Sequence, residues 1–317
     1  MGYVFVVSCL LSLVSCLLSL VSCLVSQFLI LDSHLYAWGM AVLGSVLIDG
    51  VPSNAADAAI SVFDIGFQRG YGCFEAMRTY NGQVFRLDQH LTRLEMSAHK
   101  LRLPTPDRAV IAEWCSTLAA EAGDGVVRVF VSGGTDPKRL GTNSQTVAYA
   151  ESADPGSAAM QLQTRTAPWH SDGEWFELTG AKALSYGFNL AASVAAQADG
   201  FDDALLMGRD GHVLEGPTFS IGWITDDVLH TPGLTLGILE SITRGAVIDV
   251  AARIGMAVRQ GFYGFEAVLG ADEVIAMSTV REVRAVGRVD DQVFSTGGGT
   301  EALQAGFTQL VSEELGL

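Results

Sequence analysis

The residue whose setting invites chemistry is a lysine. Only three lysines, Lys100, Lys138 and Lys182, occur in 317 residues. Lys100 ends a charge-rich helical run and Lys138 sits in Asp-Pro-Lys-Arg, so both are expected in water. Lys182 lies in Gly180-Ala-Lys-Ala-Leu-Ser-Tyr-Gly-Phe-Asn189, among small and apolar neighbours. Burying an ammonium is costly unless it is paired or neutralised. An amine so placed has a lowered pKa and becomes nucleophilic toward carbonyls. Taken alone, however, the segment is better described as a surface lysine with small neighbours. The six histidines show no HExxH spacing, which leaves a metal site unsupported. Of five cysteines, Cys9, Cys16 and Cys23 fall in an N-terminal repeat. Cys73 and Cys115 stand far apart, with no CxxC, which suits a reducing compartment. Gly70-Tyr-Gly72 lacks the third glycine of a dinucleotide fingerprint, and there is no P-loop.

Composition narrows the classes further. The formal charge is −16, from 19 basic and 35 acidic side chains, and no Lys/Arg cluster interrupts it. Nucleic-acid binding, which needs a basic face, is therefore not expected. An acidic surface implies solubility, and any anionic ligand must be held by a few well-placed donors. With 49% apolar and 17% charged residues, the chain has material for a packed core and lacks the pattern of disorder.

Residues 1–31 carry no charge, and Ser8-Cys-Leu-Leu-Ser-Leu-Val recurs from Ser15. Three readings stay open: a transmembrane helix over residues 3–31, a signal peptide without a basic start, or translated sequence upstream of a true start at Met40. Residues 1–39 are expected outside the fold, with residues 40–152 as a small domain, 153–159 as a linker and 160–317 as a larger domain. The linker is marked by the turn-rich Ala153-Asp-Pro-Gly-Ser157. Met40–Ile48 reads as a strand ending at Asp49-Gly50. Residues 74–80 and 83–87 flank Asn81-Gly82, the pair that favours a type I′ hairpin turn. Asp88 is the expected cap of the next helix, and a second helix is predicted over 107–122. Residues 126–132 and 145–151 read as strands. Later come a strand at 203–207, a turn at Asp210-Gly211 with a return strand over 212–215, a helix over 242–254, a strand over 273–277 and a closing helix over 301–315. Hairpins outnumber βαβ units, so the fold class is α+β.

Several segments together resemble one family. Asp64-Ile-Gly-Phe-Gln-Arg-Gly-Tyr-Gly-Cys-Phe-Glu-Ala-Met-Arg78 looks like a DRGFxxGDGxFExxR stretch, followed at the family spacing by Tyr80, Asn81-Gly82, Phe85, Leu87 and His90-Leu-Thr-Arg-Leu94. Lys182-Ala-Leu-Ser-Tyr-Gly-Phe-Asn189 resembles its lysine motif. Gly200–Leu206, Gly211–Gly216, Thr231-Pro232, Gly237–Arg244 and Ala271–Val274 follow in the family order. The chain thus resembles the class IV pyridoxal-phosphate (PLP) aminotransferases, branched-chain aminotransferase and aminodeoxychorismate lyase included, over nearly all of residues 40–317.

The resemblance implies a two-domain fold like that of D-amino-acid aminotransferase, with PLP between the domains, and a homodimer in the cytoplasm. It makes Lys182 the Schiff-base and proton-shuttling residue. Glu215 would pair with the pyridine nitrogen, Arg93 would hold the phosphate by its fork of donors, and the amides of Ile242 and Thr243 would bind it at a helix start. Thr279 would add a phosphate contact and Tyr186 a contact near the ring. Arg128, Phe67 and Val280 are the positions implied for substrate. Without the resemblance, Glu215 is a hairpin acid, Arg93 a solvated helix residue, Thr279 a strand-end threonine and Arg128 a strand-edge ion-pair partner. Departures concentrate in Glu215-Gly-Pro-Thr-Phe-Ser-Ile-Gly222. There Pro217 lacks an amide donor, Ser220 replaces an asparagine and Gly222 an aromatic. Tyr71 replaces a frequent aspartate. Gly133 stands where D-amino-acid enzymes carry an arginine, and Glu75 where some lyases have threonine. The implied reaction moves an amino group between an amino acid, branched-chain type by default, and a 2-oxo acid. Pyruvate elimination from 4-amino-4-deoxychorismate is the alternative enzyme, and a silent membrane-tethered binding protein the alternative outside catalysis.

Overall fold

Two sheets organise the chain, and a stretch of seven residues carries it from one to the other. The structure, a computed structural model, describes residues 41–105, 107–171 and 176–317. The expectations for residues 1–39, and Met40 itself, lie outside these. The first sheet is entirely antiparallel, in the order β2-β1-β6-β5-β3-β4. Its strands are β1 (Val42–Ile48), β2 (Val51–Ser53), β3 (Gly72–Tyr80), β4 (Gln83–Val84), β5 (Gly125–Ser132) and β6 (Thr146–Ser152). A short helix α1 (Ile65–Arg69) precedes β3, while α2 (Leu87–Lys100) and α3 (Arg108–Ala122) cover one face. Alternation along β3 and β5 sends Cys73, Met77, Val127, Val129 and Val131 into the core beneath those helices, against Leu91, Leu94, Ile111 and Leu118. The opposite face carries Arg128 and the rings of Phe74, Phe130 and Tyr149, which stack in sequence at 5.7 and 5.8 Å.

Residues 153–159 lead to the second sheet, in the order β11-β10-β9-β12-β13-β7-β8 with β14 on β13. Its strands are β7 (Met160–Thr166), β8 (Asp203–Met207), β9 (Ser220–Thr225), β10 (Val228–Pro232), β11 (Ala257–Gly261), β12 (Glu273–Ser278), β13 (Glu282–Val289) and β14 (Gln292–Val293). Helices α4 (Gly187–Ala198), α5 (Ile242–Arg253), α6 (Phe265–Leu269) and α7 (Gly298–Leu315) complete this part. The α+β class holds, but the sheet is mixed. α4 crosses between the parallel pair β7 and β8, and α5 between the parallel pair β10 and β11, two βαβ units that the sequence reading does not anticipate. Val42–Leu317 form one compact unit. Phe85, from the hairpin of the first sheet, packs on Phe307 of α7 at 5.8 Å.

The hairpin forms as predicted, with Asn81 and Gly82 both at positive φ, 48° and 76°, as a type I′ turn requires. The second strand is shorter than expected, ending at Val84, because the following helix already begins at Leu87. Asp88 is not its cap. Arg86 holds that place in a left-handed conformation, and Asp88 lies in the first turn, bound to Arg108 at 2.6 Å. Arg86 accepts the unusual backbone because its guanidinium is fixed from the other side, by Glu314 of α7 at 2.7 Å and Asp249 of α5 at 2.8 Å. The predicted helix over 107–122 forms as α3, and Asp107 is its cap, accepting from the Ala109 amide. The return strand over 212–215 reduces to single bridges, Val213 with Met207 and His212 with Gly264. The closing helix starts at Gly298, earlier than predicted. Two glycines argue against a helix start locally, but the Glu273 carboxylate of β12 accepts from the amides of Gly297, Gly299 and Thr300 and caps it from a distance.

Candidate active site

Lys182 is reached from both sheets. Its segment runs beside β3: Ala183 bridges Cys73, the Phe74 amide donates to the Lys182 carbonyl at 3.0 Å, and the Leu184 amide to the Gly72 carbonyl at 2.8 Å. The Lys182 amide donates to Ser97 Oγ on α2 at 3.0 Å. Lys100 is not solvated as expected: its Nζ donates to the Thr179 carbonyl at 2.6 Å and steadies the approach to this segment. Lys138 is exposed, as expected. The Lys182 ammonium lies 4.3 Å from the centre of the Phe74 ring and 3.5 Å from the Tyr186 hydroxyl. Loss of solvent, then the neighbouring Arg93 charge, pull its pKa down from 10.5 to about 8. Tyr186 stands at the start of α4, and burial raises its phenol above the usual range.

Glu215 faces the same space. Both of its carboxylate oxygens accept from the Leu239 amide, at 3.2 and 3.3 Å. Burial outweighs that contact and the Lys182 charge, lifting its pKa to about 7. A carboxylate raised in this way is held for a cationic partner that the chain itself does not fully provide. Because the folded pKa lies above the unfolded one near 4.5, this group destabilises the ligand-free protein increasingly as pH rises from about 4.5 to 7. Glu215→Gln should therefore stabilise the ligand-free protein at pH 8 and leave it unchanged at pH 4.5. Thermal melts at the two pH values check this, and equal shifts at both would refute it.

Arg93 is buried on α2. Its Nε and one terminal nitrogen grip Glu75 at 2.7 and 2.8 Å, and the other terminal nitrogen donates to the Glu240 carbonyl at 2.8 Å. Of five guanidinium N–H groups, two remain for a ligand. Glu75 was not anticipated as a partner. It is 0% exposed and also meets His90 Nδ1 at 2.8 Å. The only sequence signal for it is an acid between apolar residues on a strand that must be buried. Beside that Glu240 contact, α5 begins at Ile242 with Ser241 as its cap, the Ser241 hydroxyl accepting from the Arg244 amide. The amides of Ile242 and Thr243 occupy the first turn, ahead of the helix's own hydrogen bonds.

Arg93, Lys182, Tyr186, Glu215, Ser241 and Thr279 line one cavity of about 60 Å³. It shares Tyr186, Asn189, Glu215 and Leu239 with a neighbouring cavity of about 810 Å³. Phe67 is not brought there: it is 67% exposed on α1. Val280 follows Thr279 in the loop after β12. Arg128 lies on the aromatic face of the first sheet, with Nε 2.5 Å from Glu151, so it makes the ion pair named as its ordinary role. Gly133 admits no side chain without movement, since a Cβ would stand 2.5 Å from the Tyr71 carbonyl.

The donors suit an aromatic aldehyde phosphate. A free amine stands beside an aromatic wall, a carboxylate waits for a cation, and Arg93, Ser241 at the cap of α5 and Thr279 line the same cavity, a set that suits an anion. The amino-transferase class IV family model matches residues 72–289. An aminodeoxychorismate lyase of Bacillus subtilis is 30% identical over 277 residues, covering 82% of this chain and 92% of the relative. A putative branched-chain-amino-acid aminotransferase of Methanocaldococcus jannaschii is 29% identical, covering 79% and 89%. A fold IV transaminase structure from Curtobacterium pusillum superposes with a TM-score of 0.77 at 26% identity, over 84% of this chain and 93% of that one. The chain belongs to the class IV aminotransferase family and is a PLP-dependent enzyme.

Proposed function

We propose that the chain is an aminotransferase, moving an amino group between an amino acid with an apolar, branched-chain-type side chain and a 2-oxo acid. The observation that carries this reading is the Lys182 amine, held at a pKa of about 8 against the ring of Phe74. At neutral pH a useful fraction is unprotonated, so the same nitrogen can attack a carbonyl and later accept and return a substrate proton. Bound PLP supplies a protonated ring that takes up the electrons released at the substrate α-carbon. Glu215 would hold the proton on the ring nitrogen. Arg93, the α5 amides at Ile242 and Thr243, and Thr279 would anchor the phosphate, while Tyr186 would orient the Lys182 amine. The stacked Phe74, Phe130 and Tyr149 offer an apolar wall beside the lysine, which suits an apolar side chain. Arg128 stands on that face as a candidate for the substrate carboxylate. Val280 enters the reading only as the neighbour of Thr279, and Phe67, exposed on α1, stands outside it.

A division into a small part, residues 40–152, a linker over 153–159 and a larger part, 160–317, would put the cofactor between the two sheets. A homodimer accounts for the exposed Val62, Phe63, Phe67, Phe188 and Val194 on and around α1 and α4. The reduced, buried Cys73 and Cys115 suit the cytoplasm. Among the described residues, no helix is long and apolar enough to cross a membrane.

A second reading, pyruvate elimination from 4-amino-4-deoxychorismate, is favoured by the Bacillus subtilis relative. Glu75 does not decide against it, because its carboxylate is occupied by Arg93 and His90. One assay separates the two. PLP-loaded protein of size measured by sedimentation is given L-leucine with and without 2-oxoglutarate, and 4-amino-4-deoxychorismate alone. Turnover of leucine only with the oxo acid supports the transferase. Pyruvate released without an acceptor supports the lyase, and a monomeric active species removes the dimer from the reading.

A further inference from the structure

The run from Glu215 to Gly222 departs most from the family pattern, and it contains a buried polar atom without a partner. Ser220 opens β9, is 2% exposed, and its Oγ makes no hydrogen bond among the described residues. Such a hydroxyl is destabilising unless something else satisfies it. The other serines around the cavity are engaged. Ser241 caps α5, and the Ser278 hydroxyl accepts from the Arg281 amide at 3.1 Å. Ser220 lines the same cavity as Arg93, Ser241 and Thr279. Its partner in register is Met277, two residues before Thr279 on the adjacent strand. The unpaired hydroxyl therefore lies beside the strand end that leads to Thr279, in the cavity that Arg93 and Ser241 also line. The other buried, unpaired hydroxyls, Thr179 and Thr300, do not line this cavity.

We infer that Ser220 is a further binding residue for the anionic end of the cofactor, its Oγ–H donating to a phosphate oxygen. The inference rests on the PLP site described above. A phosphate presents more acceptor lone pairs than two arginine N–H groups, the helix amides and one threonine must fill, and it is the natural partner for a donor buried without one. The short side chain leaves that space open, where a longer amide would occupy it.

Titration of ligand-free wild type, Ser220→Ala and Ser220→Cys with PLP and with pyridoxal, followed by visible absorbance, tests this. Thermal melts of the ligand-free proteins accompany it. Cysteine keeps the size of serine but is a weak donor. Both variants should bind PLP about tenfold more weakly, the weight of one hydrogen bond to a charged group. Pyridoxal affinity should stay within about twofold, and the ligand-free Tm should not fall, since an unsatisfied group has been removed. Equal weakening of both ligands, no change in either, or a fall in ligand-free Tm would overturn the assignment. Wild-type protein that takes up neither ligand would instead sink the cofactor reading beneath it.

Discussion

Lys182→Ala should lower kcat by at least about a thousandfold and remove the visible band that wild type develops when PLP is added. The loss should be chemical rather than structural. The contacts that hold the segment run through the Lys182 backbone, to Ser97 Oγ and from the Phe74 amide, and alanine keeps them. The side chain contributes the amine and its contacts with the rings of Phe74 and Tyr186. Its pKa of about 8 also fixes the pH dependence of cofactor capture. The neutral amine is the nucleophile, so the rate should rise with pH and level off above about 8. An ordinary lysine is under about 1% neutral at that pH. Absorbance traces across pH 6–9 check the profile. A variant that keeps both the band and turnover would end the assignment of Lys182.

Glu75→Ala should cost about 3–5 kcal/mol of stability, because it leaves the Arg93 guanidinium buried without its carboxylate. In a chain of this size that corresponds to a fall in Tm of roughly 10 °C. Burial alone would raise the pKa of Glu75, but the charge and hydrogen bonds of Arg93 outweigh it and hold the carboxyl near 2. Its stabilising effect is thus complete above about pH 4.5 and is lost as pH falls from there through about 2. Wild type should lose stability in that window, and Glu75→Gln, which keeps the shape without the charge, should show a flatter profile. Denaturant melts at pH 3 and 7 measure both variants. A Glu75→Ala protein as stable as wild type at pH 7 would show that Arg93 is not held as the geometry indicates.

What was legible in the sequence was local or carried by motif order. Asn81-Gly82 announces its turn because few residue pairs accept positive φ twice. Lys182, Glu215 and Arg93 stand in recognisable segments, and the fold lines all three along one cavity. What escaped depends on partners distant in the chain. β7 and β13 alternate with Gln and Arg and carry little signal, yet they pair in parallel in the middle of a sheet. Arg86 looks like any exposed arginine until Asp249 and Glu314 close on it. Glu75 acquires its role only when α2 lays His90 and Arg93 over β3.

The bridge between Cys73 and Ala183 also bears on the order in which the molecule is made. Its two ends are far apart along the chain, and closing so long a loop is among the slower steps of folding, because its entropy must be lost before the contact repays it. During synthesis the strands and helices of the first sheet are made before the lysine segment. The reactive nitrogen, the carboxylate at Glu215 and the start of α5 are then delivered afterward, by the second half of the chain. Reactivity toward aldehydes thus needs both halves of the chain, because Arg93 comes from the first and Lys182, Glu215 and the start of α5 from the second.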